Sequence, residues 1–130
     1  MIHSSVNLVN QKKNPNDLVE PELMQAPDFF FDRIHVVDVL EHSEDKELIN
    51  KVCNKVKQGG SLVLSGIDGI PISRQFSQGE LPLENFNNIL TSLKRFNSLV
   101  EFKSFFIKNN WQIKMAGYDN LRYYLEAIKQ

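Results

Sequence analysis

The sequence predicts an α/β protein: a short, doubly wound type of sheet with parallel central strands and an antiparallel pair at the carboxyl end. Three observations carry this. "RIHVVDVL" (33–40) is a continuous β-rich run without strict alternation, the signature of a strand covered on both faces in a parallel sheet. A helical pattern follows, then Gly59-Gly60 and at once "SLVLSGI" (61–67), so strand, helix and strand form a βαβ unit. "WQIKMAGY" and "RYYLEAIK", late in the chain, alternate and read as antiparallel edge strands.

In chain order, "VNLV" (6–9) is a short strand candidate and "QKKNPN" a solvated turn opened by Asn-Pro. "DLVEPELMQAP" carries two prolines, Pro21 and Pro27, and is expected to be irregular, with at most a short strand at Asp17 to Val19. After "RIHVVDVL", Ser43 is the expected N-cap of a helix, with Glu44 and Asp45 at the positive end of its dipole. Leu48, Ile49, Val52 and Val56 share one face of that helix. Gly59 or Gly60 supplies a left-handed stop. "GIDGIPISRQFSQGELP" is expected to be loop. A helix from about Pro82 to Leu93 points Phe86, Ile89, Leu90 and Leu93 inward. Ser98 and Glu101 form a capping box for a helix that buries Leu99, Phe102, Phe105 and Phe106. Asn109-Asn110 ends it.

Composition narrows the function. The 130 residues are one domain's worth, 42% hydrophobic and 24% charged, with a net charge of -1. Neither a polybasic nucleic-acid surface nor an acidic tail is present. No apolar run reaches the ~18 residues of a membrane span, and the start of the chain lacks the order of a signal peptide. One cysteine, Cys53, excludes an internal disulfide and is expected to be buried and inert. The expectations are a cytoplasmic protein with no nucleic acid, membrane or metal partner. His3, His35, Tyr118, Tyr123 and Tyr124 read as packing or exposed residues. Phe29-Phe30-Phe31 cannot all face one core, so some of them cover a partner.

"FDRIHVVDVLEH…ELINKVCNKVKQGGSLVLSGID" resembles the central segment of class I S-adenosylmethionine-dependent methyltransferases. Phe31-Asp32, Leu40-Glu41-His42 and Gly59-Gly60 match that family's Phe-Asp, Leu-Glu-His and Gly-Gly, with Gln58 where proline is usual. "GELPLENFNNIL…SLVEFKSFFIKNNWQIKMAGYDNLRYYLEAIK" is similar to the tail of a polysaccharide-associated subgroup, with Asn110-Trp111 in place of Gly-Phe. The family's first strand and glycine-rich cofactor turn have no counterpart here. Asn7-Leu8-Val9 stands where the subgroup reads Asn-Leu-Asp, so the acid that holds the ribose hydroxyls is missing. The resemblance therefore implies a single Rossmann-like methyltransferase domain over 1–130, truncated at its front.

The resemblance also implies a site. S-adenosylmethionine is the cofactor it suggests, with Glu20 or Glu22 meeting the adenine and Asp38, Val39 and Leu40 forming the wall at the end of the fourth strand. Asp38 stands out by itself, since a carboxylate in an apolar strand needs hydrogen-bond partners. His42 is the candidate base, because imidazole titrates near neutral pH. Glu41 reads as part of an acidic helix start, and Asp68 as either ligand edge or turn. Two functions follow: methyl transfer to a small molecule or glycan, or a non-catalytic fold that serves as a binding or partner subunit. An incomplete sheet invites cover, so a homodimer or a complementing partner chain is expected.

Overall fold

The computed structural model describes residues 5–130; His3 lies outside them. The elements run β1 (Ser5–Leu8), β2 (Asp17–Leu18), α1 (Glu20–Gln25), β3 (Phe31–Val37), α2 (Leu48–Lys55) and β4 (Val56–Ile67). They continue as α3 (Gly69–Ser77), α4 (Leu83–Ser92), α5 (Leu99–Lys108), β5 (Trp111–Asp119) and β6 (Arg122–Lys129). The strands form one sheet in the order β2-β1-β3-β4-β6-β5. β2, β1, β3 and β4 are mutually parallel, while β6 runs antiparallel to both β4 and β5. The mixed α/β class with an antiparallel carboxyl-terminal pair is therefore the observed one. Of that pair, only β5 is an edge; β6 lies inside the sheet.

Register sorts the side chains into two faces. Val6, Ile34, Leu62 and Ala127 form one cross-sheet row, and Leu8, Val36, Leu64 and Leu125 the next. All are buried, and Leu23, Leu48, Val52, Phe102 and Phe106 from α1, α2 and α5 close over them in a single core. The opposite face carries the row Asn7, His35, Val63, Glu126 and Met115, flanked by Ser61 and Ser65. These residues are half-buried or exposed, with Met115 53% accessible. The expected two-sided cover of β3 is thus corrected: among the described residues the helices pack on one face only. Among the described residues no helix is long and apolar enough to cross a membrane.

Several elements differ from expectation for local reasons. β3 stops at Val37 because Asp38 takes a left-handed conformation, φ 57°, which Asp tolerates better than most residues. Ser43 caps no helix. Its hydroxyl accepts the Asp45 N–H at 3.1 Å and donates to Glu20 at 3.1 Å, so the chain bends before α2 begins at Leu48. "DLVEPELMQAP" does hold a helix, the single short turn of α1, with Pro21 in its first turn.

"GIDGIPISRQFSQ" is not loop but largely α3. Its Gly69 and Pro71 fall in the first turn, where no intrahelical N–H is needed, and Asp68 caps it by accepting the Ile70 N–H at 2.8 Å. α4 stands outside the core: none of its residues is buried, Leu83 and Leu90 are exposed, and Phe86 stacks on Phe76 at 4.1 Å. The expected inward face of α4 is therefore turned toward α3 and solvent. Gly59 keeps its left-handed φ of 81°, but inside β4 rather than at a helix stop. Cys53 is buried, and burial pushes its thiol up to about 12.

Candidate functional site at the carboxyl ends of the parallel strands

Chain connectivity reverses between β1 and β3. β1 leads outward to β2, while β3 leads the other way to β4. Open α/β sheets bind ligands outside the carboxyl ends of strands at such a switch point. A cleft of about 400 Å³ lies there, lined among others by Asn7, Asn10, Lys13, Asp17, His35 and Asp38.

The residues of the cleft hold one another. Asp17 is buried and accepts from Asn7 Nδ2 at 3.1 Å and from the backbone N–H groups of Lys13 (3.0 Å) and Asn14 (2.9 Å). The Lys13 N–H first, then the Asn7 amide, hold its carboxyl below the usual range. This ties down the 9–16 loop, which lets parallel β1 and β2 pair without a crossover helix. Asn10 Nδ2 donates to the Asp38 carbonyl at 2.7 Å, and the Asp38 carboxylate pairs with Arg122 at 2.9 Å. His35 is half-buried, with Nε2 3.5 Å from Ser65 Oγ. Burial, and then the Arg33 charge, lower its pKa, so its imidazole is neutral at pH 7.

The structure brings only Asp38 of the expected site residues to this cleft. Val39 and Leu40 are buried core residues in the turn after β3. Glu20 accepts from Ser43. Glu22 accepts the Val19 N–H at 3.1 Å and pairs with Lys12 at 3.0 Å, and both interactions lower its pKa, the first more than the second. Its task is to start α1. His42 is half-buried, and its N–H closes a turn on Val39 O at 3.0 Å; its side chain does not line the cleft.

Two acids have larger structural roles than their sequence context suggests. Glu41 does not join a helix start. It is 1% exposed, and its Oε2 accepts from Asn97 Nδ2 at 2.6 Å and Tyr123 OH at 2.8 Å. Among the described residues its Oε1 meets no side-chain or neighbouring backbone donor. Burial, outweighing those two hydrogen bonds and a third from its own backbone N–H, raises its pKa. A Cβ at Gly66 would run into this carboxyl. Asp68 is fully buried and caps two helices: besides Ile70 of α3, it accepts the Leu99 N–H of α5 at 2.6 Å. The available signals were a glycine inside β4, which marks a close approach, and a buried tyrosine in β6 whose hydroxyl needs a partner.

The cleft does not by itself make a seat for S-adenosylmethionine. The position at the end of β1 is Val9, with no carboxylate for a ribose diol, and its N–H is already given to Leu18 O at 2.9 Å. The loop from Val9 to Asn16 has no glycine to let backbone approach a ligand closely. Among the described residues, no three of His, Cys, Asp and Glu gather as metal ligands.

No protein-family model and no curated protein sequence matches the chain. Solved structures do match, and the fold they share with it is that of S-adenosylmethionine-dependent methyltransferases. A protein of this class from Listeria monocytogenes superposes with TM-score 0.60 at 13% identity, over 92% of this chain and 72% of its own. The S-adenosylmethionine-dependent methyltransferase of Mesorhizobium loti gives 0.59 at 14%, over 89% and 71%. A Haloferax volcanii structure of a methyltransferase in complex with the Trm112 methyltransferase activator gives 0.55 at 10%, over 90% and 63%. At these identities the likeness is one of fold.

Proposed function

We propose that the protein is a methyltransferase-fold binding subunit that works in an assembly, with a second chain lying on its bare sheet face. One observation carries this: four mutually parallel strands are covered by helices on one face only, whereas parallel sheets are covered on both. A second copy of the chain is the simplest cover, and the Haloferax volcanii complex is a case in which this fold has a protein partner. The ligand of the assembly is a small polar molecule held in the cleft between β1 and β3. The cytoplasm is its proposed location, consistent with a lone buried thiol.

Sedimentation velocity at tens of micromolar tests the assembly. The expected result is a dimer that Val63→Arg, in the middle of the bare face, converts to monomer. A wild-type monomer under the same conditions overturns the homodimer.

A second reading is favoured by the fold itself and by the cleft at the switch point. It is S-adenosylmethionine-dependent methyl transfer to a small molecule or glycan. Asp38, which lines the cleft, then belongs to the cofactor wall, and this reading needs Val39, Leu40, Glu20 or Glu22 and the candidate base His42, all outside the cleft, to reach the ligand from its rim. This reading requires that the chain bind the cofactor, which separates it from the first.

A further inference from the structure

A second hollow, of about 730 Å³, lies between α3 and the start of α5, beyond the carboxyl end of β4. Ile70, Ser73, Arg74 and Ser77 line one wall, and their spacing puts them on one face of α3. Phe96 and Glu101 line the other. The two walls are fixed to each other. Asp68 accepts the Ile70 N–H of α3 and the Leu99 N–H of α5, and the Gly69 N–H donates to Asn97 O at 3.0 Å. Gly69 also lets the linker come close, since a Cβ there would stand 3.1 Å from Phe96 Cβ. The hollow is therefore preformed, and a ligand need not order it.

We propose that this hollow binds a small apolar zwitterion, an amino acid or short peptide, with its carboxylate on Arg74 and its ammonium on Glu101. The lining carries one charge of each sign and no other: Arg74 on the α3 wall and Glu101 on the α5 wall. Among the described residues neither side chain makes a hydrogen bond or an ion pair. Arg74 acts on the Tyr118 hydroxyl only as a nearby charge.

The rest of the lining suits the same ligand. A guanidinium takes a carboxylate through two parallel N–H bonds, and Ser73 beside Arg74 offers a hydroxyl. Ile70 and Phe96 are 38% and 40% exposed and give the hollow apolar surface. The Phe96 ring can take an apolar side chain on its face or the ammonium of the ligand. A ligand with a single charge leaves either Arg74 or Glu101 unanswered, so the hollow selects for both charges on one molecule.

This site is separate from the cleft between β1 and β3 and needs no second chain, so it is tested on the whole chain alone. The amide signals of Ile70, Phe96 and Asn97 are followed by NMR while L-phenylalanine or L-leucyl-L-phenylalanine is added to tens of millimolar. Saturable shifts are expected with at least one of the two, and the tighter of them shows whether the amino acid or the peptide fits. Phenethylamine and hydrocinnamate, which each lack one charge, should bind about tenfold more weakly, as expected for one lost charge-assisted contact. Arg74→Gln should weaken the zwitterion and leave phenethylamine unchanged; Glu101→Gln should weaken the zwitterion and leave hydrocinnamate unchanged. Both side chains are exposed, so neither change touches the core. The proposal is overturned by the absence of saturable shifts at these amides with either zwitterion. It is equally overturned by singly charged analogues that bind as tightly as L-phenylalanine, or by variants that weaken every ligand alike.

Discussion

At the level of single residues, the acids divide by what meets them. Asp17, Glu22 and Asp45 are met first by backbone N–H groups or a lysine, and all three are held low. Their contribution is present above the ordinary carboxyl range and is lost on acidification. Glu41 has the opposite sign. With its pKa raised in the folded chain, folding binds a proton more tightly than the unfolded chain does, so stability falls as pH rises from the ordinary glutamate range through the raised value. Urea unfolding across that window should show this fall in the wild type and not in Glu41→Gln. Asp68 is legible in sequence only as ligand edge or turn former, since nothing in "GIDG" reveals that a second helix, 31 residues on, starts on the same carboxylate. Asp68→Ala should remove two caps at once and destabilise by about 2 kcal/mol in chemical denaturation, at roughly 1 kcal/mol per cap.

Among the elements, the sequence was most readable where burial and pattern agree. α5 is such a case: Ser98 accepts the Glu101 N–H and Leu99, Phe102 and Phe106 are buried, as the spacing predicts. The β-rich runs also became strands of one sheet, because β-branched residues fit a pleated surface. α3 is hidden in the sequence because glycine and proline are common helix breakers, although here both sit in a first turn where neither breaks anything. α4 shows the converse error. Its apolar spacing is genuine, but spacing says nothing about whether a core lies within reach. The two helices should therefore respond differently to truncation. Phe106→Ala in α5, fully buried, should cost about 3–5 kcal/mol. Leu90→Ala in α4, 42% exposed, should stay within about 0.5 kcal/mol. Equal losses in thermal or urea unfolding would mean that α4 has cover not seen here.

For the molecule as a whole, the parallel sheet and its antiparallel end were legible, but the bare face was not. Ile34, His35, Val36 and Val37 read as part of one β-rich run covered on both sides; only the pairing register shows that His35 and Val37 point away from the helices. The site was legible in part for the same reason. Asp38 is placed at the ligand edge by the sequence and lines the cleft in the structure, although the strand expected to run to Leu40 stops at Val37, whereas the cleft also needs Asn7, Asn10 and Asp17, which meet it only because β1 pairs with both β2 and β3. The chain has the methyltransferase fold, and we propose that it lacks a cofactor seat of its own. Isothermal titration of the purified chain with S-adenosylmethionine and S-adenosylhomocysteine tests it most directly. No binding heat is expected even at millimolar ligand; saturable binding at micromolar ligand would contradict the proposal.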